Sequence, residues 1–527
     1  MSTTTVAALT SAITDFDDKV FIEDGDLKLT FSDTQRLCHQ AAATLIGRGF
    51  ALGDRAAIWA PNISQWVLAA LAIHCAGGVV VPINSRFKGP EATDILAASA
   101  AKWLFSIGEF LNTDYPSQIE HSQLPQLEGI VVLRGTSKAL HSTWTDWLAE
   151  GQGQLSASPQ LVTERSALVS GDHPSDIIFT SGTTGKAKGV ITTHQQNLRT
   201  FTIWSDLVGL DQSDRYLIVN PFFHSFGYKA GILACLLKGC TLIPQLVFDV
   251  DQVLERIAAD KITMLPGPPT LYQSLLAHPK LNDYDLNSLT KATTGAAVIP
   301  TELIDNIRQR LGITTVLTAY GLSESCGLAT MCRHGDPSAT IASTSGRAIP
   351  GIEVACLDRD GRHCNADEIG EIVIRGFNVM QGYLDSPEAT AESIDTAGWL
   401  HTGDIGSLDS DGNLKITDRL KDMYISGGFN CYPAEIESSL NRHPSIVMSA
   451  VIGIAETLMG EVGAAFIQSA DPELDADAMH QWCRTNMANY KVPKHFIFVD
   501  SLPLNATGKI HKPTLRESWS KGQSTSL

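Results

Sequence analysis

The chain has 527 residues, 39 Lys and Arg against 57 Asp and Glu, a formal net charge of −18 and 43% hydrophobic residues. A chain of that length buries a large core and, by length alone, spans roughly three or four domains or subdomains. The acidic balance speaks against nucleic-acid and anionic-membrane surfaces, which need a basic footprint, so any polyanionic ligand must be held by local donors.

Strand and helix alternate through the first hundred residues. The pattern predicts a strand over 28–31 and a helix opened by Ser32, with Gln35 at capping-box spacing, ending near Gly47. A strand over 55–60, a helix over 64–76 and a strand over 78–82 follow. The apolar run 66–83 is broken by His74 and Gly77-Gly78, and it reads as a buried helix entering a parallel strand rather than a membrane span. Residues 110–170 are weakly periodic and read as peripheral connections. A second alternating region covers about 174–330, and together the two predict doubly wound sheets with covered faces.

After residue 345 short alternating runs such as 371–375 and 412–417 suggest a small antiparallel barrel or sheet. From about 422 a small α+β unit follows, with helices over 433–442 and 475–489, a strand over 449–453 and a disordered tail after about Ser518. The expected fold is therefore α/β: a large N-terminal domain of doubly wound sheets with a β-barrel-like subdomain, and a small α+β C-terminal domain.

The N-terminus MSTTTVAAL has neither a basic n-region nor an apolar core, so no signal peptide is expected, and Ser526-Leu527 does not complete a peroxisomal signal. Ten cysteines are scattered without a CxxC. Cys235/Cys240 and Cys326/Cys332 are the closest pairs, and no His cluster completes a zinc site. They read as free thiols in a reducing cytoplasm.

The chemistry concentrates in Thr180, Ser181, Gly182, Thr183, Thr184, Gly185, Lys186 and Lys188, which follow the apolar strand beginning at Asp176. Glycines let a backbone approach closely, hydroxyls and N–H groups donate hydrogen bonds, and lysines supply charge for a polyphosphate. The spacing is not that of a Walker A loop, because Gly182 and Gly185 stand too close together and Ala187 follows Lys186. The segment resembles the phosphate loop of the adenylate-forming acyl-CoA synthetase superfamily. The resemblance recurs in order at Pro221–Gly227, at Thr294 to Ala297, at Tyr320-Gly321-Leu322-Ser323-Glu324 and from Gly370-Glu371 to Gly382-Tyr383. It continues through Trp399 to Asp404, Asp418 to Asp422, Ser426 to Glu437, and Pro503 to Ile510, so it covers nearly the whole chain.

The resemblance implies attack of an acid's carboxylate on the α-phosphate of ATP, release of pyrophosphate, and thiolysis of the acyl-adenylate by coenzyme A. It implies ATP contacts from the phosphate loop, from Gly295, Ala296 and Ala297 at the adenine, and from Tyr320, Gly321 and Ser323. Glu324 is then a hard oxygen ligand for Mg²⁺, Asp404 an acceptor for ribose hydroxyls, and Arg419 a partner of ribose or phosphate. Lys509 contacts the reacting oxygens during adenylation, and His224 gates the acyl pocket that Gly227, Lys229 and Gly321 help to form. Lys421 is the hinge between an adenylation domain over 1–420 and a mobile domain over 421–527, and Gly427-Gly428 let the pantetheine arm pass.

Two stretches speak of the acid: NPFFHSFGYKAGILACL over 220–236 and LPGPPTLYQSLL over 265–276. They resemble the coenzyme A ligases of bacterial steroid degradation that act on a methylhexahydroindanedione propanoate. Lys229 is placed either to face a ketone of such an acid or on the surface of a first helical turn. Medium-chain fatty or aryl acyl-CoA ligases, a carrier-loading adenylation domain and a non-catalytic nucleotide-binding regulator are the competing readings. The expected partners are a carboxylic acid, ATP and coenzyme A, with no nucleic acid and no transmembrane segment. No residue carries the oligomeric state, a homodimer being the assembly considered.

Overall fold

The structure, a computed structural model, describes residues 2–138, 141–181, 187–295, 299, 301–358, 360–419, 424–503, 510 and 512–522. Short apolar runs alternating with helices sort into two large sheets. One has eight strands in the order Gly382–Tyr383, Ala187–Thr193, Pro174–Ser181, Val79–Pro82, Arg55–Trp59, Trp103–Ser106, Gly129–Val132 and Ser142–Thr143. Neighbours from Pro174–Ser181 onward run parallel, whereas Gly382–Tyr383 lies antiparallel on Ala187–Thr193. All of Val79–Pro82 is buried, as in a strand covered on both faces.

The other sheet has nine strands, with parallel Thr315–Tyr320, Lys291–Gly295, Met264–Pro266, Arg215–Ile218 and Thr241–Pro244 at its centre. Helix Ser64–Cys75 is apolar all round, and every residue except Gln65 is buried. The run 66–83 is thus a buried helix feeding a parallel strand. Beyond these sheets, Ile352–Leu357, Gly370–Gly376, Leu400–Leu408 and Leu414–Arg419 stand in that order in a four-stranded sheet, whose pairs within the first three strands are antiparallel.

Two sequence expectations are corrected. The helix over residues 31–47 starts before Ser32. Its N-cap is Thr30, whose hydroxyl accepts from the Asp33 N–H while Asp33 accepts from the Thr30 N–H, so this reciprocal pair opens Phe31–Gly47. Residues 110–170 are not peripheral. Gly129–Val132 is a member of the eight-stranded sheet, and helix Trp144–Ala157 packs on Phe31–Gly47 with Trp147 fully buried. The two glycines and two glutamines of that helix weaken its periodicity, and its tryptophans supply the anchoring instead.

The chain divides into two compact units, one of residues 1–85, 96–178 and 189–418, the other of 86–95, 179–188 and 419–527. In the second unit, Phe429–Cys431, Tyr424–Ser426, Gly460–Ser469 and Ile446–Glu456 form a sheet, and His495–Phe498 joins it parallel to Gly460–Ser469. One core holds Tyr424, Ile436, Leu440, Met479 and Met487, and a second holds Ile452, Val462, Phe466 and Leu515. The last described helix, Lys512–Ser520, extends past Ser518, where the sequence suggests a disordered tail. Among the described residues no helix is long and apolar enough to cross a membrane. All ten cysteines are free thiols, nine of them buried.

Candidate active site

Thr180 stands near the end of Pro174–Ser181, half-buried, and its hydroxyl donates to the Lys188 carbonyl at 3.4 Å. This bond ties the two ends of the phosphate loop. Gly182, Thr183, Thr184, Gly185 and Lys186 lie outside the described residues, as do Ala296, Ala297, Lys421, Lys509 and the side chains of Ser181 and Arg419. Gly295 ends the strand Lys291–Gly295 against Ala319 of the next strand.

Tyr320 ends Thr315–Tyr320, and its ring lies in an apolar cluster with Val190, Ala329 and Ile374. Its hydroxyl donates to Asp404 Oδ2 at 2.7 Å. Asp404 is 7% exposed, and its own N–H donates to Thr402 Oγ1 at 3.1 Å. A buried carboxylate with a phenol fixing one oxygen is an oriented acceptor. Gly321 opens the following turn, where a Cβ would collide with the backbone of Gly327 and Leu328.

Ser323 and Glu324 occupy the single 3₁₀ turn Ser323–Ser325. The Glu324 carbonyl accepts from the Met380 N–H at 2.8 Å, and Glu324 Oε1 accepts from the Tyr383 hydroxyl at 2.9 Å. A half-buried carboxylate with one oxygen oriented by a phenol has the hard-donor character that suits Mg²⁺ bridging phosphates. No group of three or more His, Cys, Asp or Glu that could hold a metal ion occurs among the described residues.

Pro221–Gly227 caps the π-helical turn Tyr228–Leu233. A Cβ on Gly227 would strike the Pro221 carbonyl, so only glycine closes this corner. His224 Nδ1 accepts from the Phe226 N–H at 3.2 Å. The residue is exposed to solvent, with protein atoms standing around its ring. That surrounding protein, and then the charge of Lys229, hold it below the usual histidine value.

Lys229 is not on the surface. It is 1% exposed, and its amine lies 3.0 Å from Asp176 Oδ1 and donates to Thr192 Oγ1 at 2.9 Å. Asp176 Oδ2 accepts from Thr192 at 3.0 Å and from Asn197 Nδ2 at 2.5 Å. The ammonium group of Lys229 is thus paired with one carboxylate by charge and donates one hydrogen bond, to Thr192. Behind the π-turn, Tyr228 OH and His74 Nε2 are 2.6 Å apart, and the His74 ring meets His194 edge-on at 4.8 Å. Burial pushes His74 down to about 3 and His194 well below the usual value.

Gly427 and Gly428 are the two central residues of the hairpin that pairs Ser426 with Phe429. Both have positive φ, +56° and +83°, as a tight two-residue hairpin turn requires. The Asp176, Thr192 and Asn197 network and the Tyr383 contact carry no role in the sequence reading. The available signals are one carboxylate in an apolar strand and a tyrosine inside a matched motif.

With this geometry in place, comparison with known proteins is direct. Residues 9–384 match the AMP-binding enzyme family, and residues 435–509 match the AMP-binding enzyme C-terminal domain. The chain is 47% identical, over 98% of both chains, to the 3-[(3aS,4S,7aS)-7a-methyl-1,5-dioxo-octahydro-1H-inden-4-yl]propanoyl:CoA ligase of Mycobacterium tuberculosis. It is 46% identical, again over 98% of each, to the ligase of the same description from Rhodococcus jostii. Among solved structures it resembles a double mutant of o-succinylbenzoate CoA synthetase from Bacillus subtilis bound with its product analogue. That likeness has a TM-score of 0.79 and 26% identity, and covers 97% of this chain and 98% of the other.

Proposed function

We propose, from the premise that this chain belongs to the AMP-binding enzymes, that it is an ATP-dependent acid:CoA ligase acting on a bicyclic, keto-bearing propanoate of the methylhexahydroindanedione type. The observation that carries the substrate is the 47% identity over 98% of both chains to a ligase described for that acid. The stretches 220–236 and 265–276 add the local resemblance.

In the first step the acid's carboxylate oxygen forms a bond to the α-phosphorus, the bond to the bridging oxygen breaks, and pyrophosphate leaves. Charge develops on the phosphate oxygens, and preorganised donors are what lower that barrier. The loop from Thr180 to Lys188 supplies hydroxyls, N–H groups and lysine charge. Glu324 is the residue that would hold Mg²⁺, which when bound would neutralise phosphate charge. Asp404, oriented by Tyr320, accepts from the ribose hydroxyls, with Arg419 beside it; Gly295, Ala296 and Ala297 lie along the adenine, and Lys509 meets the reacting oxygens.

In the second step the thiol sulfur of coenzyme A bonds to the acyl carbon and AMP leaves. Gly427-Gly428 bring no side chain of their own into the path of the pantetheine arm, and Lys421 is the hinge between domains 1–420 and 421–527. His224, Gly227 and Gly321 shape the acyl pocket, and Lys229 offers an N–H to a ring ketone. The cytoplasm is the proposed compartment, since ten free thiols fit a reducing environment.

A panel of acids assayed for ATP- and CoA-dependent AMP release tests the assignment. Filling a pocket with a further 100 Å² or so of apolar area is worth about 2.5 kcal/mol, some tens-fold in specificity. The bicyclic keto-propanoate should therefore exceed hexanoate, octanoate and 4-coumarate in kcat/KM. A clear preference for octanoate or a hydroxycinnamate would replace the substrate and leave the ligase chemistry standing.

A further inference from the structure

The matched segment from Gly370-Glu371 to Gly382-Tyr383 supplies no group to either proposed step, yet its end reaches the proposed metal site. Gly382–Tyr383 is a strand of only two residues. It lies antiparallel on Ala187–Thr193, with Tyr383 opposite Val190 and Gly382 opposite Ile191. Flanking backbone bonds extend the pairing: Gln381 N–H donates to Ile191 O at 3.0 Å, and Leu384 N–H to Gly189 O at 2.7 Å. Ala187–Thr193 is the strand by which the chain leaves the phosphate loop. The tyrosine's own N–H donates to Thr390 Oγ1 at 2.9 Å, which anchors it to helix Pro387–Ser393.

The same segment fastens the turn that carries Glu324. Asn378 is fully buried, and its Nδ2 donates to Leu328 O at 2.7 Å and Ser325 O at 3.4 Å. Met380 N–H donates to Glu324 O at 2.8 Å, and the Tyr383 hydroxyl donates to Glu324 Oε1 at 2.9 Å. Residues 378–383 thus hold the turn by its backbone and the carboxylate by its head, while their other edge holds the strand leaving the phosphate loop.

We infer that Tyr383 is a positioning residue for the metal-binding carboxylate: its hydroxyl fixes one oxygen of Glu324 and so aims the other at the phosphate-bound cation. This rests on the proposed role of Glu324. A glutamate on a half-exposed turn has three free torsions, and a cation that must order them binds less well. A phenol donor removes that freedom in advance and sets the carboxylate in register with the phosphate-loop strand. Partners that orient a ligating carboxylate typically change metal affinity or activity by 10–100-fold when removed. A residue that acts through Glu324 has its effect confined to what Glu324 does.

The test is ATP binding by calorimetry on the full chain, with no acid and no coenzyme A, once in excess Mg²⁺ and once in EDTA. The quantity read is the gain in ATP affinity that Mg²⁺ provides. Glu324→Gln should abolish most of that gain. Tyr383→Phe, which removes only the hydroxyl, should reduce it about 10-fold, with ATP affinity in EDTA unchanged and the same melting temperature. The double variant Tyr383→Phe/Glu324→Gln should lose no more than Glu324→Gln alone, because the phenol acts through the carboxylate. A Tyr383→Phe chain that keeps the parental gain overturns the inference, as does one that loses ATP affinity equally in Mg²⁺ and EDTA or merely melts lower. If Glu324→Gln itself keeps the parental gain, the metal role of Glu324 falls, and the inference falls with it for that separate reason.

Discussion

Replacing Asp176 with alanine puts the buried ion pair under the acyl segment to a quantitative test. Asp176 and Lys229 are 0% and 1% exposed and stand 3.0 Å apart. The change leaves an ammonium group buried without its counter-charge and takes the acceptor from Thr192 and Asn197. Breaking a buried pair from one side costs about 3–5 kcal/mol. The unit that contains it has roughly 400 residues. At about 2.1 cal/mol/K of unfolding entropy per residue, that is ~0.8 kcal/mol/K, so the melting midpoint should drop by about 4–6 °C. Removing both charges, with Asp176→Leu and Lys229→Met together, should restore most of the loss, since the desolvation cost leaves with the charges. Scanning calorimetry of the parent, the single and the double variant near neutral pH reads all three. A single variant that melts with the parent would refute the buried pair. A double variant as unstable as the single would refute the charge argument in favour of packing.

Three further outcomes are expected. Lys509→Ala should cut adenylate formation, followed as pyrophosphate release, by about 10²-fold or more while thiolysis of a supplied acyl-adenylate survives; equal loss in both half-reactions would end that division of labour. Lys421→Pro fixes φ and removes an N–H, so adenylation should remain measurable while thioester formation fails, and unchanged turnover would move the hinge away from 421. Burial holds His74 at about 3 against about 6.5 in an unfolded chain. Between those values the unfolded chain takes up a proton that the folded chain refuses. The stability is therefore complete above about pH 6.5 and falls with decreasing pH, by about 1.4 kcal/mol per pH unit for one imidazole. His74→Gln should reduce the acid slope of the melting temperature by that one-imidazole share, and an unchanged slope would refute the buried neutral ring.

Much of the fold was legible because its signals are local. The helix Ser64–Cys75 and the strand Val79–Pro82 are continuous apolar runs, and such runs need no partner to be read. The stretch 110–170 was not, because its order comes from tertiary packing. Gly129–Val132 is four residues long and becomes a strand by pairing with Trp103–Ser106, and Trp144–Ala157 is held by tryptophans against a helix about a hundred residues upstream. The start of Phe31–Gly47 was misplaced because two hydroxyl residues, Thr30 and Ser32, compete for the cap. The one that also has an acid three residues on, Asp33, takes it.

The same physics divides the site. A loop that grips phosphates needs consecutive N–H groups and short hydroxyls, so the word from Thr180 to Lys188 is contiguous and can be recognised as such. The long-range contacts of the proposed site are under no such constraint. Tyr320 finds Asp404 from 84 residues away, and Tyr383 finds Glu324 from 59. Lys229 shows the consequence most clearly. Read locally it is a cation at a helix start, free to face solvent or substrate, yet the strand pairing that sets Asp176 beside Val80 also places its carboxylate under that cation. A charge so buried carries a desolvation cost that its counter-charge only offsets. The partner that makes the burial of Lys229 tolerable lies 53 residues upstream on another strand, so nothing in the local segment could have announced it.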